Sequence, residues 1–110
     1  MGLTKTENFT LEQNELAAIA KALGHPARIA IIQHLLKVNS CICGEIVDEV
    51  PLAQPTISRH LKELKAVGII KGTIEGTSVN YCIDGAKWRV IQSLLNGLFD
   101  TYVLDQNCEC

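Results

Sequence analysis

The segment that decides the fold is LAQPTISRHLKELKAVG, residues 52–68. Pro55 is expected at the first helical position, where its missing N–H costs nothing, and Gly68 is a typical stop signal. Apolar side chains recur between them at steps of four, three and three residues, the spacing of one buried helix face. They are Ile57, Leu61, Leu64 and Val67. The segment predicts a short amphipathic helix.

The other faces of this helix carry hydrogen-bond donors, with Glu63 as the only acid. The donors are Thr56, Ser58, Arg59, His60, Lys62 and Lys65. Such a surface is typical of an ordinary solvated helix and also of a helix that binds phosphate. Periodicity alone favours the solvated helix, and the neighbouring elements decide between the two.

Composition indicates a single, mainly helical domain with an aliphatic core. The chain has 110 residues, of which 47% are apolar and only 5% aromatic. The formal net charge of −2 gives no general support for nucleic-acid binding. Between residues 54 and 72, however, Arg59, Lys62, Lys65 and Lys71 oppose Glu63 alone. A local basic stripe can bind phosphates on a chain that is neutral overall.

The cellular location is predicted to be the cytoplasm, with no membrane partner. The segment Met1–Thr10 lacks the apolar core of a signal peptide, and no apolar run is long enough to span a bilayer. The five cysteines cannot all pair within one chain. Their number in a chain without an export signal favours reduced thiols.

Two helices are predicted before the deciding segment. Thr10 and Gln13 form a capping-box pattern that opens an amphipathic helix ending near Gly24. Pro26 opens a second helix that is apolar around most of its circumference, and His25 is expected to cap it.

A third, short helix is predicted from about Cys43 to Glu49, followed by a brief turn at residues 51–54. Two short helices joined by such a turn form a helix-turn-helix. After Gly68 the apolar period changes to two, which predicts a β-hairpin with strands Ile70–Ile74 and Val79–Ile83.

The last predicted helix starts near Asp84, its expected N-cap, and carries a long apolar stripe. The stripe is more than a small core can cover, so we expect it to pack against a second copy of the chain. The alternative is that it closes the core of the monomer. The predicted interface residues are Leu16, Trp88, Ile91, Leu95, Leu98 and Tyr102.

A helix-turn-helix followed by a hairpin is a winged helix, and the sequence resembles the ArsR/SmtB family of bacterial metal-responsive repressors. The resemblance is carried by LGHPARIAIIQHL (23–35), CICGEI (41–46), LAQPTISRHLKELKAVGII (52–70) and EGTSVNYCI (75–83). It implies a mainly α winged helix-turn-helix of order α-α-α-α-β-β-α that dimerises through its terminal helices. Residues 1–9 would be an extension, 10–104 the DNA-binding and dimerisation domain, and 105–110 a tail.

The resemblance also implies a homodimer that binds double-stranded operator DNA and is released by an effector. A recognition helix places its N-terminal residues on base edges in the major groove. Base contacts are expected from Gln54, Thr56, Ser58, Arg59 and His60, and phosphate contacts from Lys62, Lys65 and Lys71. His60 is equally well explained as a partly buried polar residue. The wing tip lacks the basic residue that the family often carries there.

Cys41 and Cys43 are the candidate effector ligands. Residues two apart diverge in a regular helix, but distortion at a helix start can bring two thiols together, and the helix N-terminus favours the thiolate. In the family, a Cys-x-Cys at this place binds soft ions such as arsenite, antimonite, cadmium or lead. The alternative is that both cysteines fill the core.

The chain ends in a second Cys-x-Cys, Cys108 and Cys110, which either supplies a third ligand or is incidental. Cadmium and lead sensors of the family draw a further cysteine from the N-terminal extension, and residues 1–9 have none, so the resemblance favours arsenite or antimonite. Residues 84–103 contain no histidine, which argues against the zinc site of the family. Cys82 is expected to be an isolated thiol without a role, and DNA binding is expected to need no cofactor.

Two other function classes differ from a metal-responsive repressor. An enzyme is not expected, because the sequence has no Cys-x-x-Cys, no Gly-rich phosphate loop and no paired carboxylates with enough further chain to form a pocket. A thiol-redox-responsive winged helix that binds DNA or protein without a metal effector is the alternative function, since exposed cysteines of low pKa support either chemistry.

Overall fold

The computed structural model describes residues 6–38, 51–75 and 78–103. A 3-10 turn, Thr6–Asn8, precedes four helices and one hairpin. The helices are α1 (Leu11–Leu23), α2 (Pro26–Val38), α3 (Gln54–Ala66) and α4 (Gly85–Asp100), and the strands are β1 (Ile70–Glu75) and β2 (Ser78–Ile83). The short helix predicted from Cys43 to Glu49 lies outside the described residues.

The N-termini of α1 and α4 are capped by the predicted side chains. The Gln13 N–H donates to Thr10 Oγ1 at 3.0 Å, and the Thr10 N–H donates to Gln13 Oε1 at 3.0 Å, which completes the capping box. The Lys87 N–H donates to Asp84 Oδ1 at 3.2 Å. Each cap satisfies backbone donors that the helix itself leaves without partners.

Helix α3 ends in a Schellman motif built on Gly68. The Ile69 N–H donates to the Leu64 carbonyl at 3.1 Å and the Gly68 N–H to the Lys65 carbonyl at 3.0 Å, while Gly68 has φ +86°. The predicted stop is confirmed. At the other end Gln54 is the first helical residue, so Pro55 takes the second position and not the first.

Replacing Gly68 by alanine is expected to lower the free energy of unfolding by about 1–2 kcal/mol, because an L-residue is strained in the left-handed region. The new Cβ would also lie 2.8 Å from Lys87 Cγ, so the lysine side chain would have to move. Urea unfolding measures the change. In Gly85→Ala the new Cβ meets no atom within 4 Å, so this control should stay within about 0.5 kcal/mol of the wild type. Equal stability of the two variants would contradict the account.

The hairpin is antiparallel, with Ile70 paired to Ile83 and Glu75 to Ser78. The observed hairpin confirms the prediction, and each strand is one residue longer at the turn than predicted.

An aliphatic core joins the helices to the base of the hairpin. Its buried members include Ile19, Ile31, Leu35, Ile57, Leu64, Ile69 and Ile91.

Helix α3 lies on this core, in contact with α1, α2 and β1. Helix α4 packs on α1, where Lys87 Nζ pairs with Glu15 Oε2 at 3.5 Å. This packing buries one face of α3 in the core and leaves the opposite face exposed to solvent. Within the described ranges, no helix has the length and apolar character needed to cross a membrane.

Candidate nucleic-acid interface

The exposed face of α3 carries most of the donors expected to contact DNA. Opposite the buried face, the side chains of Gln54, Ser58, Arg59, Lys62 and Lys65 are exposed, and Thr56 is half-buried. Lys71 is exposed at the start of β1, which follows the helix directly. Seven of the eight predicted DNA-binding residues are therefore at least partly accessible, six on α3 and Lys71 at the start of β1.

The N-terminus of α3 also favours an anion. Its first turn contains no acidic residue, and the N-cap residue Ala53 makes no side-chain hydrogen bond to the helix. The first turn and the N-cap residue thus supply no carboxylate of their own to the N–H groups and the positive end of the helix dipole. Gln54 and Thr56 stand at this end of the helix.

His60 is placed differently from the other predicted DNA-binding residues. Its side chain is only 6% exposed, so it does not reach the donor-rich surface. It lies three residues after Ile57 and four before Leu64, which puts it on the inward face of the helix. The sequence spacing already contained this signal. His60 is therefore removed from the set of candidate base contacts.

Arg28 is the partner of His60, and no sequence pattern singled it out. Its Nε donates to His60 Nδ1 at 3.1 Å. Its Nη1 lies 3.4 Å from the Lys21 carbonyl and 3.3 Å from the Ala22 carbonyl, donating to both in the last turn of α1. One guanidinium on α2 thus connects the end of α1 to the middle of α3.

His25 completes the cluster. Its Nδ1 accepts a hydrogen bond from the Ala27 N–H at 3.0 Å, which confirms the predicted cap of α2. Its ring centroid lies 4.4 Å from that of His60, with the two planes inclined by 50°. Burial, with further contributions from His25, Arg28 and Arg59, lowers the pKa of His60 below 6.5, and Glu63 opposes this only in part. His60 is therefore neutral at pH 7.

Comparison with known proteins places these residues in a family. The model of the bacterial regulatory protein arsR family matches residues 25–71, a range that includes His25, Arg28 and all of α3. An uncharacterized HTH-type transcriptional regulator of Methanocaldococcus jannaschii is 42% identical over 85 residues, which cover 74% of this chain and 94% of that protein. The chain belongs to the ArsR family.

A second relative is the HTH-type transcriptional repressor SmtB of Mycobacterium tuberculosis, 41% identical over 63 residues that cover 57% of this chain and 46% of that protein. Among solved structures, the homodimeric winged helix-turn-helix DNA-binding domain of Mycobacterium bovis superposes with a TM-score of 0.63 at 21% identity. That match covers 96% of this chain and 98% of the M. bovis chain. The predicted fold class is confirmed. This ArsR-family protein is a DNA-binding transcriptional repressor, and the family is one of regulators and not of enzymes.

The predicted dimer residues of this ArsR-family chain divide into two groups. Leu98 and Tyr102 are 53% and 73% exposed, and Leu16, Trp88 and Leu95 are half-buried. Ile91 is buried in the core of the monomer. Ile91 therefore serves the core, whereas the other five leave apolar surface outside it.

The candidate effector ligands Cys41, Cys43, Cys108 and Cys110 lie outside the described residues. Within 6–38, 51–75 and 78–103, no group of three or more metal-binding side chains occurs. Cys82 is buried in β2 and disulfide-bonded. The expectation that Cys82 is an isolated thiol was wrong. Alternation along a strand predicts which face of the sheet a side chain occupies, but it carries no information about disulfide bonding.

Proposed function

We propose that the protein binds operator DNA by inserting α3 into the major groove. The observation that carries the proposal is the exposed donor face of α3, held outward because the opposite face is buried in the core. Gln54, Ser58 and Arg59 are positioned to contact base edges, with Thr56 at the helix start. Lys62, Lys65 and Lys71 add phosphate contacts that strengthen binding without sequence choice.

The DNA-binding form is proposed to be a homodimer that uses α1 and α4. Leu98 and Phe99 are exposed at the end of α4, and Tyr102 is exposed just beyond it. A cavity of about 270 Å³ is lined by Trp88, Leu95 and Phe99. The solved winged helix-turn-helix domain of M. bovis is homodimeric. A dimer presents two recognition helices to two half-sites. Sedimentation equilibrium should give twice 12.0 kDa, and a monomer at micromolar concentration would contradict the proposal.

The effector is proposed to be a thiophilic metalloid or metal ion bound by Cys41 and Cys43, with arsenite or antimonite favoured over cadmium or lead. Thiolates prefer soft ions, and the Cys-x-Cys precedes α3 by only a short stretch of chain. Cys108 or Cys110 would supply the third thiolate that trivalent arsenic takes. Ligation close to the recognition helix offers a direct route to DNA release.

Elemental analysis after desalting tests the ligand set. The reduced wild type should retain about one arsenic per chain, and the double variant Cys41→Ser/Cys43→Ser should retain none. Cys82→Ser removes a thiol outside the proposed ligand set and should keep the arsenic, whereas loss of the arsenic would place Cys82 among the ligands. Arsenic retained by the double variant would overturn the assignment, and loss on truncation before Cys108 would place the third ligand in the tail.

A second candidate function is favoured by the state of Cys82. Because Cys82 is disulfide-bonded, the wing strand β2 can respond to oxidation. In that reaction two thiols lose two electrons and two protons to a peroxide, which is reduced to water. If the protein is a redox regulator, peroxide should release it from DNA and arsenite should not. The response to peroxide should be lost in Cys82→Ser.

A further inference from the structure

The contact between Arg28 and His60 joins helices that have different roles. Arg28 holds the last carbonyls of α1, and α1 packs on α4. His60 is buried at the middle of α3. The residue before it, Arg59, is exposed and belongs to the surface proposed to contact DNA. A hydrogen bond to a charged donor is stronger than a neutral one and fixes orientation. This bond therefore adds an oriented polar contact to the apolar packing that holds the inward face of α3.

We propose that Arg28 is a positioning residue for DNA binding, which holds α3 in place through neutral His60 and releases it when His60 is protonated. The inference rests on DNA binding through α3 and is independent of the effector. Neither Arg28 nor His60 needs to touch DNA for this role. It adds a proton-dependent control to the repressor.

The chemistry of the contact requires the neutral imidazole. His60 Nδ1 accepts the Arg28 proton, and guanidinium has no acceptor of its own. A protonated His60 carries hydrogen on both ring nitrogens, so the bond is lost and two cations face each other at 3.1 Å. Among the described residues, the charged and titratable groups that act on His60 are His25, Arg28, Arg59 and Glu63. Of these four, only Glu63 would favour the proton, and it is exposed on α3.

The direction of the pH dependence follows from this environment. The pKa of His60 in the folded protein lies below the 6.5 of an exposed imidazole, mainly because of burial. The unfolded chain therefore takes up the proton first as the pH falls. The stabilising contribution of neutral His60 is complete above pH 6.5 and is lost as the pH falls through the pKa of the folded state. DNA affinity should fall over the same mildly acidic range.

Fluorescence-anisotropy titrations from pH 7.5 to 5.5, with DNA from the protein's own upstream region at constant ionic strength, test the proposal. Wild-type affinity should fall by up to about tenfold per pH unit below the folded pKa of His60, the limit for one coupled proton. Added positive charge alone would strengthen binding to phosphates as the pH falls. A fall in DNA affinity as the pH is lowered would therefore be opposite to the general electrostatic effect.

Two variants isolate the contact. His60→Asn keeps an acceptor near the position of Nδ1 but cannot be protonated, so its affinity should stay near the wild-type value and become insensitive to acid. Arg28→Lys keeps the positive charge but replaces the planar guanidinium and its several N–H donors by a single ammonium group. It should bind DNA about tenfold more weakly at pH 7.5. Arg89→Lys, on the exposed surface of α4, makes the same exchange away from the site and should bind as the wild type does.

Circular dichroism at each pH confirms that the variants are folded, and NMR of the imidazole CH groups follows His60 directly. His34→Asn removes another titratable histidine and should keep the wild-type pH profile. A wild-type profile in His60→Asn, or full affinity in Arg28→Lys, would overturn the proposal. If Arg28→Lys does not fold, the pH profile of His60→Asn decides alone. Failure of the wild type to bind DNA at any pH would instead contradict the proposed function.

Discussion

Replacing Leu64 by alanine is expected to lower the free energy of unfolding by about 2–5 kcal/mol, the usual range when a buried leucine is truncated in a core. Leu64 is fully buried on the inward face of α3, in one cluster with Ile57 and Ile69. Its carbonyl also accepts the hydrogen bond that closes the helix before the hairpin. The loss is a large part of the stability of a domain this size.

Urea unfolding followed by circular dichroism measures this loss, at one protein concentration because dimerisation would contribute to stability. Lys62→Ala is the matched control, since Lys62 lies on the same helix with an exposed side chain. It should change stability by less than about 0.5 kcal/mol. If Leu64→Ala were equally mild, α3 would not be anchored as described.

Replacing Arg59 by alanine is expected to weaken specific operator binding by about 1–3 kcal/mol, the range for a bidentate contact to a base. Arg59 is exposed on α3 between Ser58 and the buried His60, within the part of a recognition helix that reaches base edges. Binding to a shuffled duplex of the same length should change far less. The comparison of the two duplexes is therefore the measurement.

Arg59→Lys separates charge from hydrogen-bond geometry. Lysine keeps the positive charge but not the planar pair of donors, so discrimination between the two duplexes should fall while non-specific affinity persists. Arg89→Ala on α4 removes one positive charge elsewhere and should leave discrimination unchanged. A uniform loss on both duplexes in Arg59→Ala would show that Arg59 contacts phosphate and not bases.

The local elements were predictable from the sequence because short-range chemistry determines them. The capping box at Thr10 and Gln13, the cap at Asp84 and the stop at Gly68 each depend on residues within a few positions. The hairpin followed from a change of apolar period. These signals fixed the order of elements and the exposed face of α3.

The cluster beneath α3 was not predictable in the same way. Arg28 and His60 are separated by 32 positions, so their contact depends on how α2 and α3 pack. His60 shares a helical face with Ile57 and Leu64, yet a polar residue on such a face needs a partner that only the tertiary structure supplies. The disulfide of Cys82 and the burial of Ile91 in the monomer core likewise depend on distant parts of the chain.

The most direct test of the proposed function is an anisotropy titration of the complex between the reduced protein and its upstream DNA with arsenite. We predict release of the wild type and of Cys82→Ser, with affinity lowered by about 5–150-fold, the usual range of allosteric coupling. Cys41→Ser/Cys43→Ser should stay bound. DNA binding that arsenite does not weaken in the wild type, or release that persists in the double variant, would contradict the proposed effector site.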